Sequence, residues 1–381
     1  MFENPILIVL CCLIFISTVM AEKISNNTKV LPAPVCLDGK TVYINQDGQV
    51  VLRAPFESAL FRHFSDGLAG FVINGKVGFI DEKGRIVIKP DFIGAEDFSE
   101  GFASIYVNKK MGFINASGKI VVKPIYDLAW DFSKGFVRVG IADGTDELGL
   151  PKYKVGFIDR SGKLVIGKTR AVYVGKFDDA RDFSEGVAPV KIGEKWGFVS
   201  ENDQMVIKPT FKDAKSFSNG LAPATLDGEI WGYIDKTGKF VIKPQFTDAD
   251  SFSEGLAAVA TDKNKVLSFY AGFINKLGNM EIKLPSPSAL VKEFHEGRAY
   301  YYWKDGKEGP LHSTFIDRTG KIIFQGDDVW LTPFQEGAAA IATGNGVSYI
   351  DNMGKYIWNA DELFKQNPLK CNQVAASQNS K

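Results

Sequence analysis

The feature that most constrains this sequence is an internal repeat. A Phe-Ser-x-Gly tetrad occurs six times and is followed by two looser copies; the phenylalanines are Phe64, Phe98, Phe132, Phe183, Phe217, Phe252, Phe294 and Phe334. Successive copies are 34, 34, 51, 34, 35, 42 and 40 residues apart, so the base unit has 34 residues and some units carry insertions. Such a chain must fold as an array of similar units that bury apolar residues against their neighbours.

A second landmark, Gly-aromatic-Ile followed by a polar turn, decides the secondary structure. Its aromatic residues are Phe79, Phe113, Phe157, Phe198, Tyr233, Phe273, Phe315 and Tyr349, and Tyr43 belongs to a decayed first copy. Helical repeats also have 34-residue periods, but here the runs between turns are short and β-prone. Four units also contain a Lys-Pro step, and proline stops a strand or places it at an edge. The units are therefore predicted to be all-β.

Two copies carry a Trp-Gly dipeptide inside this frame, at Trp196-Gly197 and Trp231-Gly232. With the surrounding Gly-Lys-x-Val-Ile-Lys-Pro and Phe-Ser-Glu-Gly segments, residues 42–358 resemble the WG-containing repeat family, also called KWG repeats. The departures are Val77, Met111, Val155 and Ala271 in place of Trp, and Thr314 in place of Gly. The resemblance implies a β-rich repeat protein of a kind typical of bacteria and often exported, whose members have no agreed catalytic activity.

The units of residues 42–358 are compatible with a propeller-like ring or with an open β-solenoid of about eight to nine copies. The ring is favoured because both terminal copies look incomplete: the first lacks its opening strand, and the last, after Gly337, lacks its linker. Residues 22–41 form an N-terminal segment. Residues 359–381 form a C-terminal tail that ends in a run rich in Asn, Gln, Ser and Ala, a composition typical of disorder.

The positions that all units share are predicted to be structural. Each landmark phenylalanine should stack with its counterparts in neighbouring units and form a continuous core. The alanine three residues before it should let units approach closely. The glycine should have a positive φ, and the Ser and Glu of Phe-Ser-Glu-Gly should be local hydrogen-bond acceptors in the turn.

Residues 1–21 have the pattern of a signal peptide. Residues 4–21 carry no charge, an apolar core runs from Ile6 to Ile16, and small residues at Val19 and Ala21 precede Glu22. There is no Lys or Arg before the core, so an uncleaved anchor is the alternative, although 18 residues barely cross a hydrocarbon layer of ~30 Å. We expect a periplasmic, cell-surface or secreted protein without a membrane span after cleavage.

Cleavage would leave two cysteines, Cys36 and Cys371. Because exported proteins occupy oxidising compartments, a Cys36–Cys371 disulfide is expected, and two unpaired thiols are the alternative. Such a bond would hold the two ends of the repeat array together. It would therefore favour a closed ring.

The sequence contains no recognised catalytic motif. A Walker loop, His-Glu-x-x-His, Cys-x-x-Cys and Gly-x-Ser-x-Gly are all missing, so no catalytic residue, cofactor or metal site is predicted. The 45 basic and 45 acidic residues balance, which leaves no overall attraction to nucleic acid. The acidic loop 143–147 lacks the spacing of a calcium loop and is interpreted as a solvated turn. The alternative function is a carboxylate-based glycan hydrolase on the repeat scaffold.

Function in a repeat protein is expected in its insertions. Three units lengthen the hairpin between their first and second predicted strands, at 140–154, 261–270 and 305–313. The third insertion follows the densest aromatic cluster of the chain. The candidate ligand-binding residues are Tyr301, Trp303, Asp305 and His312.

We predict that these four residues bind a protein or glycan partner without catalysis, because amphipathic rings suit such contacts. The alternative is cross-strand packing. Strand alternation would then turn Tyr300 and Tyr302 inward and leave only Tyr301 and Trp303 facing outward.

Overall fold

The computed structural model describes residues 30–366 except 32, 38–39, 57–59, 168–174, 262–269, 289, 305–308 and 344–345. The predicted signal peptide, Cys371 and the end of the predicted tail lie outside the described residues. The regular secondary structure of the described residues is β-strand apart from one short helix, as the all-β prediction requires.

The strands form nine small antiparallel sheets, which are the blades of a β-propeller. Blade 1 contains β1 (Val35–Leu37), β2 (Lys40–Ile44) and β3 (Val50–Arg53). Blade 2 contains β4 (Leu60–Ser65), β5 (Leu68–Ile73), β6 (Lys76–Asp81) and β7 (Ile86–Phe92); blade 3 contains β8 (Gly94–Ala95), β9 (Phe102–Val107), β10 (Lys110–Asn115) and β11 (Ile120–Tyr126). Blade 4 contains β12 (Leu128–Ala129), β13 (Phe136–Thr145), β14 (Pro151–Asp159) and β15 (Leu164–Ile166); blade 5 contains β16 (Asp179–Ala180), β17 (Val187–Ile192), β18 (Lys195–Ser200) and β19 (Met205–Phe211).

The remaining blades repeat the same order of strands. Blade 6 contains β20 (Asp213–Ala214), β21 (Ala222–Thr225), β22 (Trp231–Ile234) and β23 (Phe240–Phe246); blade 7 contains β24 (Asp248–Ala249), β25 (Ala257–Ala260), β26 (Tyr270–Ile274) and β27 (Met280–Ser288). Blade 8 contains β28 (Leu290–His295), β29 (Arg298–Lys304), β30 (Leu311–Asp317) and β31 (Ile322–Asp327); blade 9 contains β32 (Trp330–Leu331), β33 (Ala338–Thr343), β34 (Gly346–Asp351) and β35 (Tyr356–Trp358). One short helix, α1 (Ala360–Gln366), follows.

The terminal blades differ from each other. Blade 1 has three strands in the described residues, which correspond to the second, third and fourth strands of the other blades. The opening strand expected to be missing is therefore present as β1, and the short inner strand is the one without a counterpart among the described residues of blade 1. Blade 9 has all four strands. The linker that the sequence lacks after this blade would only lead into a following blade, so blade 9 is complete without it. No helix in the described part of the chain is long and apolar enough to cross a membrane.

The ring is closed by direct packing of blade 9 against blade 1. Val42 and Ile44 of blade 1 share an apolar cluster with Ala340 and Tyr349 of blade 9. The Tyr349 hydroxyl donates to the Ala33 carbonyl oxygen at 3.1 Å and accepts from the Ala33 N–H at 2.6 Å. The prediction of a ring rather than an open solenoid is therefore confirmed.

The core lies between blades and is organised around aromatic pairs. In blades 1 to 8, the aromatic ring of the Gly-aromatic-Ile landmark packs on the landmark phenylalanine of the next blade, with centroids 4.7 to 5.1 Å apart. The pairs are Tyr43–Phe64, Phe79–Phe98, Phe113–Phe132, Phe157–Phe183, Phe198–Phe217, Tyr233–Phe252, Phe273–Phe294 and Phe315–Phe334. The expectation that landmark phenylalanines stack on one another was wrong in this detail, because the partner is the second landmark.

The glycine of the Trp-Gly dipeptide makes room for a bulge in the outer strand. A β-carbon at Gly197 or Gly232 would lie 2.5 Å from the carbonyl oxygen of Ile207 or Ile242, where the Lys-Pro step shifts the strand register. Thr314 replaces this glycine in blade 8, and there the outer strand pairs regularly opposite Thr314. The bulge at the Lys-Pro step therefore requires a glycine at the facing position of the neighbouring strand.

The order of strands places the connections on two opposite faces. In an antiparallel sheet, the turns after the first and third strands lie at one end, and those after the second and fourth lie at the other. We call the end with the Phe-Ser-x-Gly turns the turn face, and the end with the lengthened hairpins the insertion face. The insertions join the second and third strands rather than the first and second, because a short inner strand precedes the three predicted strands in the complete blades.

Candidate binding surfaces

The aromatic cluster of blade 8 is mainly core. Tyr300 and Tyr302 pack between blades 8 and 9, whereas Tyr301 is 1% exposed and packs between blades 7 and 8. The Leu331 N–H donates to the Tyr302 hydroxyl at 2.9 Å. Burial raises the pKa of Tyr301, with the Thr314 hydroxyl opposing the shift. The strand alternation was predicted correctly, but both sides of this strand face neighbouring blades, so the Tyr301 ring does not reach the surface.

Trp303 and His312 are brought together at the insertion-face end of blade 8. Their rings are stacked with centroids 4.1 Å apart, and they are directly opposed in the β29–β30 ladder. The Trp303 indole N–H donates to the Thr314 hydroxyl at 3.2 Å, and His312 Nδ1 lies 2.7 Å from an Asp327 carboxylate oxygen. Trp303 is partly buried and His312 is buried. Asp305 lies outside the described residues, so its place in this group stays a prediction.

The predicted disulfide is described at one end only. Cys36 is buried in blade 1 and is disulfide-bonded. Its partner lies outside the described residues, and the pairing with Cys371 stays a prediction.

The insertion at 140–154 forms the largest described feature of the insertion face. It extends β13 and β14 into a long hairpin, and a groove of about 520 Å³ separates the hairpin from blade 5. The lining of the groove includes Leu128, Trp130, Asp143, Lys152, Tyr153 and Glu194. Pockets of this size hold a side chain or a small ligand.

Trp130 is a fixed aromatic wall of this groove. The Arg138 guanidinium lies over its ring, 4.3 Å from the centroid. That guanidinium is itself held by the Asp182 carboxylate at 2.7 Å and by the Ala180 carbonyl oxygen at 2.6 Å, both in blade 5. The indole therefore has a supported position before any ligand arrives, which lowers the entropy cost of binding.

Charges of both signs line the blade 5 side of the groove. Lys154 forms an ion pair with Asp178, whose other oxygen accepts from the Gly193 N–H at 2.7 Å. Partial burial alone would raise the pKa of Asp178, but these hydrogen bonds outweigh it and lower the pKa. A hydrogen bond from Lys212 lowers the pKa of Glu194. Carboxyl groups with lowered pKa values are ionised near neutrality and suit recognition better than proton donation.

The turn face is occupied by hydrogen bonds between blades. In each Phe-Ser-x-Gly turn the third and fourth residues have positive φ, for example 51° at Glu100 and 83° at Gly101. The Glu100 carboxylate accepts from the Lys134 and Gly135 N–H groups of the next blade, at 2.6 and 2.8 Å. Equivalent bonds join Asp66 to Gly101, Glu185 to Gly220, Asn219 to Gly255, Glu254 to Gly297, and Glu296 to Glu336 and Gly337.

We call this set the turn-capping relay. The glycines have positive φ as predicted, but the acidic side chains cap the next blade rather than their own turn. Three of the serines also bond to the next blade, as Ser99 does by donating to the Phe132 carbonyl oxygen at 2.8 Å. Ser218 is the predicted local acceptor, because it accepts from the Asn219 amide at 3.2 Å. The relay occupies the turn face and leaves the insertion face as the candidate binding surface.

The acidic loop 143–147 is part of a hydrogen-bonded turn. Asp146 accepts from the Leu148 and Leu150 N–H groups at 2.9 Å each and so closes a turn. No cluster of three or more His, Cys, Asp or Glu side chains that could hold a metal occurs in the part of the chain that the structure describes.

The sequence signal for the groove was the insertion itself. Its length identified 140–154, but Trp130 lies ten residues earlier in a linker and carries no motif. The contribution of blade 5 depends on packing between blades and has no local signal.

A comparison against protein families also identifies the repeat. The WG containing repeat family matches residues 43–76, 78–110, 111–143, 175–196, 196–229 and 231–264. The chain belongs to the WG-containing repeat family. No match was found among curated protein sequences.

Solved structures show similarity of fold only. A eukaryotic initiation factor is 11% identical, with a TM-score of 0.58, over 86% of this chain and 95% of that one. An acylaminoacyl peptidase from Pyrococcus horikoshii is 12% identical, with a TM-score of 0.39, over 90% of this chain and 54% of that one. At these identities, the first similarity extends to the arrangement of blades and the second carries no argument.

Proposed function

We propose that this WG-repeat propeller is an exported, non-catalytic scaffold that binds a partner protein through its insertion face, at the groove between blades 4 and 5. The observation that supports the proposal is the supported indole of Trp130 beside a groove that the 140–154 insertion creates. Rigid aromatic side chains in partly closed pockets are typical anchors of protein interfaces.

A protein segment suits the groove better than a neutral glycan. Asp143 and Glu194 lie there with Lys152 and Lys191, so a ligand meets both signs of charge. A peptide supplies backbone donors and acceptors and charged side chains of either sign, whereas an uncharged sugar offers these ions only neutral hydrogen-bond partners. Among the described carboxyl groups, each one with a shifted pKa is shifted downward, which does not favour the glycan-hydrolase alternative, since its general acid needs a raised pKa.

The test is selection of a displayed random-peptide library on the folded protein, with a glycan array probed in parallel. Peptides that bind should lose affinity roughly tenfold or more for Trp130→Ala, and for Lys152→Glu, which changes only an exposed side chain. Leu277→Ser, on the turn face, is the control and should bind normally. Glycan binding that depends on Trp130, or peptide binding that neither groove variant weakens, would contradict the proposal.

Export is tested separately by the mass of the mature chain. The proposal requires a protein recovered outside the cytoplasm that begins at Glu22. Recovery of the intact chain from the cytoplasm would refute the exported part of the proposal and leave the binding part standing.

A further inference from the structure

The tip of the 140–154 hairpin has the same hydrogen bonds as the turn that joins the third and fourth strands of a blade, which we call the repeat turn. In the repeat turn at Asp159, the Gly162 N–H donates to the Asp159 carbonyl oxygen at 2.9 Å, and the carboxylate accepts two further N–H groups. At the tip, Gly149 donates to the Asp146 carbonyl oxygen at 3.0 Å, and the Asp146 carboxylate accepts in the same way. The tip is therefore a defined turn rather than a loose loop.

The tip differs from the repeat turns in its exposed side chains. The residue that follows the turn is polar in all nine repeat turns, after a glycine in eight of them and after Asp203 in blade 5: Gln49, Arg85, Lys119, Lys163, Gln204, Lys239, Asn279, Lys321 and Lys355. At the tip this residue is Leu150, which is 59% exposed, and Leu148 beside it is 84% exposed. Neither leucine belongs to an apolar cluster of the described residues, so this exposed pair on a hydrogen-bonded turn indicates a contact outside the chain.

A complementary pocket lies at the base of the same hairpin, on its blade 3 side. It has a volume of about 270 Å³, and its walls include Ile125, Val139, Ile141 and Leu164. A dry cavity of about 150 Å³ accepts benzene, so this pocket has room for a leucine side chain. Burial of an exposed leucine in such a pocket removes apolar surface from water and is therefore favourable.

The charges around the tip and the pocket are opposite. Asp143, Asp146 and Glu147 surround the leucines of the tip. The pocket is bordered by Lys154 and Lys163. The acidic tip would be repelled by an anionic membrane surface but attracted to this pocket.

We propose that two copies of this chain associate by inserting the Leu148–Leu150 tip of each into the pocket beside Ile141 of the other. Because the tip and most of the pocket lining belong to blade 4, with Ile125 and Tyr126 added by blade 3, a single two-fold axis beside blade 4 lets both contacts form at once. The assembly is then a closed dimer rather than an open chain. The groove lies on the opposite side of the hairpin, so the dimer and partner binding are separable by mutation.

Sedimentation velocity of the full chain over a wide concentration range tests the proposal. The wild type should pass from monomer to dimer as concentration rises. Leu148→Ser combined with Leu150→Lys installs residues that the repeat turns already use, so the variant should fold normally, with an unchanged melting temperature. Its dimer dissociation constant should rise roughly a hundredfold or more, because each leucine is lost at two symmetric contacts.

Two further variants separate the specific contact from general stickiness. Leu277 is 82% exposed at the matching position of a repeat turn in blade 7, and Leu277→Ser should leave the dimer unchanged. Lys163→Glu should weaken the dimer, and adding Glu147→Lys should restore it by exchanging the charges.

Several results would overturn the proposal. These are a wild type that stays monomeric at every concentration, a dimer that the tip variant does not weaken, or an equal loss with Leu277→Ser. A monomeric wild type that co-sediments with phosphatidylcholine vesicles would assign the tip to a lipid surface instead.

Discussion

The turn-capping relay makes a quantitative prediction at Glu100. Its carboxylate accepts the Lys134 and Gly135 N–H groups of the next blade at 2.6 and 2.8 Å, and an Arg160 N–H at 2.9 Å. A hydrogen bond to a charged group contributes about 1.5 to 3 kcal/mol when dry, but this site is partly exposed and water can replace the lost acceptor. We therefore expect Glu100→Ala to lower the free energy of unfolding by about 1 to 2 kcal/mol.

Lys134 provides a matched control within the chain. It occupies the same turn position in blade 4 with almost the same backbone strain, φ 53° against 51° at Glu100. As a cation it cannot accept hydrogen bonds from the next turn. Lys134→Ala should therefore change the unfolding free energy by less than about 0.5 kcal/mol.

The assay is urea denaturation followed by tryptophan fluorescence, with the midpoint compared among wild type, Glu100→Ala and Lys134→Ala. Equal midpoints for all three would refute the claim that the relay stabilises the ring. Equal losses in both variants would show that the side chain's volume or the turn conformation, and not the carboxylate, is responsible.

The same site predicts a dependence on pH. Partial burial alone would raise the pKa of Glu100, but the hydrogen bonds from Arg160, Gly135 and Lys134 outweigh it and lower the pKa. A group whose pKa is lower in the folded state contributes its full stability above its unfolded pKa of about 4.3 and loses it as pH falls. The gap between wild type and Glu100→Ala should therefore be constant near neutrality and shrink below that value. A gap that persists in strong acid would contradict the assignment.

Two further predictions concern the backbone and the chain ends. Gly232→Ala would bring a β-carbon to 2.5 Å from the Ile242 carbonyl oxygen, so we expect a loss of about 2 kcal/mol or more in unfolding free energy, and an unchanged denaturation midpoint would contradict the bulge argument. Peptide mapping of the exported protein without reduction should find a chain that begins at Glu22 with Cys36 linked to Cys371. If Cys36 is linked to a different cysteine, the prediction that a disulfide joins the two ends of the chain is wrong.

Much of the architecture could be predicted because local rules govern it. Two landmarks with a 34-residue base period, short β-prone runs and regular turn residues determined an all-β repeat. Gly101 could be assigned a positive φ from its place in a two-residue turn, since hydrogen bonds within one turn depend only on neighbouring residues.

The contacts between blades could not be predicted in this way. Whether Glu100 caps its own turn or the next blade, and whether Phe98 pairs with another landmark phenylalanine or with Phe79, depends on how consecutive sheets are rotated about the ring. Tyr301 shows the same limit, because alternation determines which side of a strand a residue occupies but not whether a blade covers that side.

The sequence by itself thus determined the unit, three of the four strands of a complete blade, its turns, and the positions of the insertions along the chain. Only the tertiary structure decided that nine blades close into a ring, that Tyr301 is buried, and that Trp130, the 140–154 hairpin and blade 5 form one groove. The physical reason is range: turn and strand preferences act over a few residues, whereas the groove joins side chains from different blades that meet only when the sheets pack.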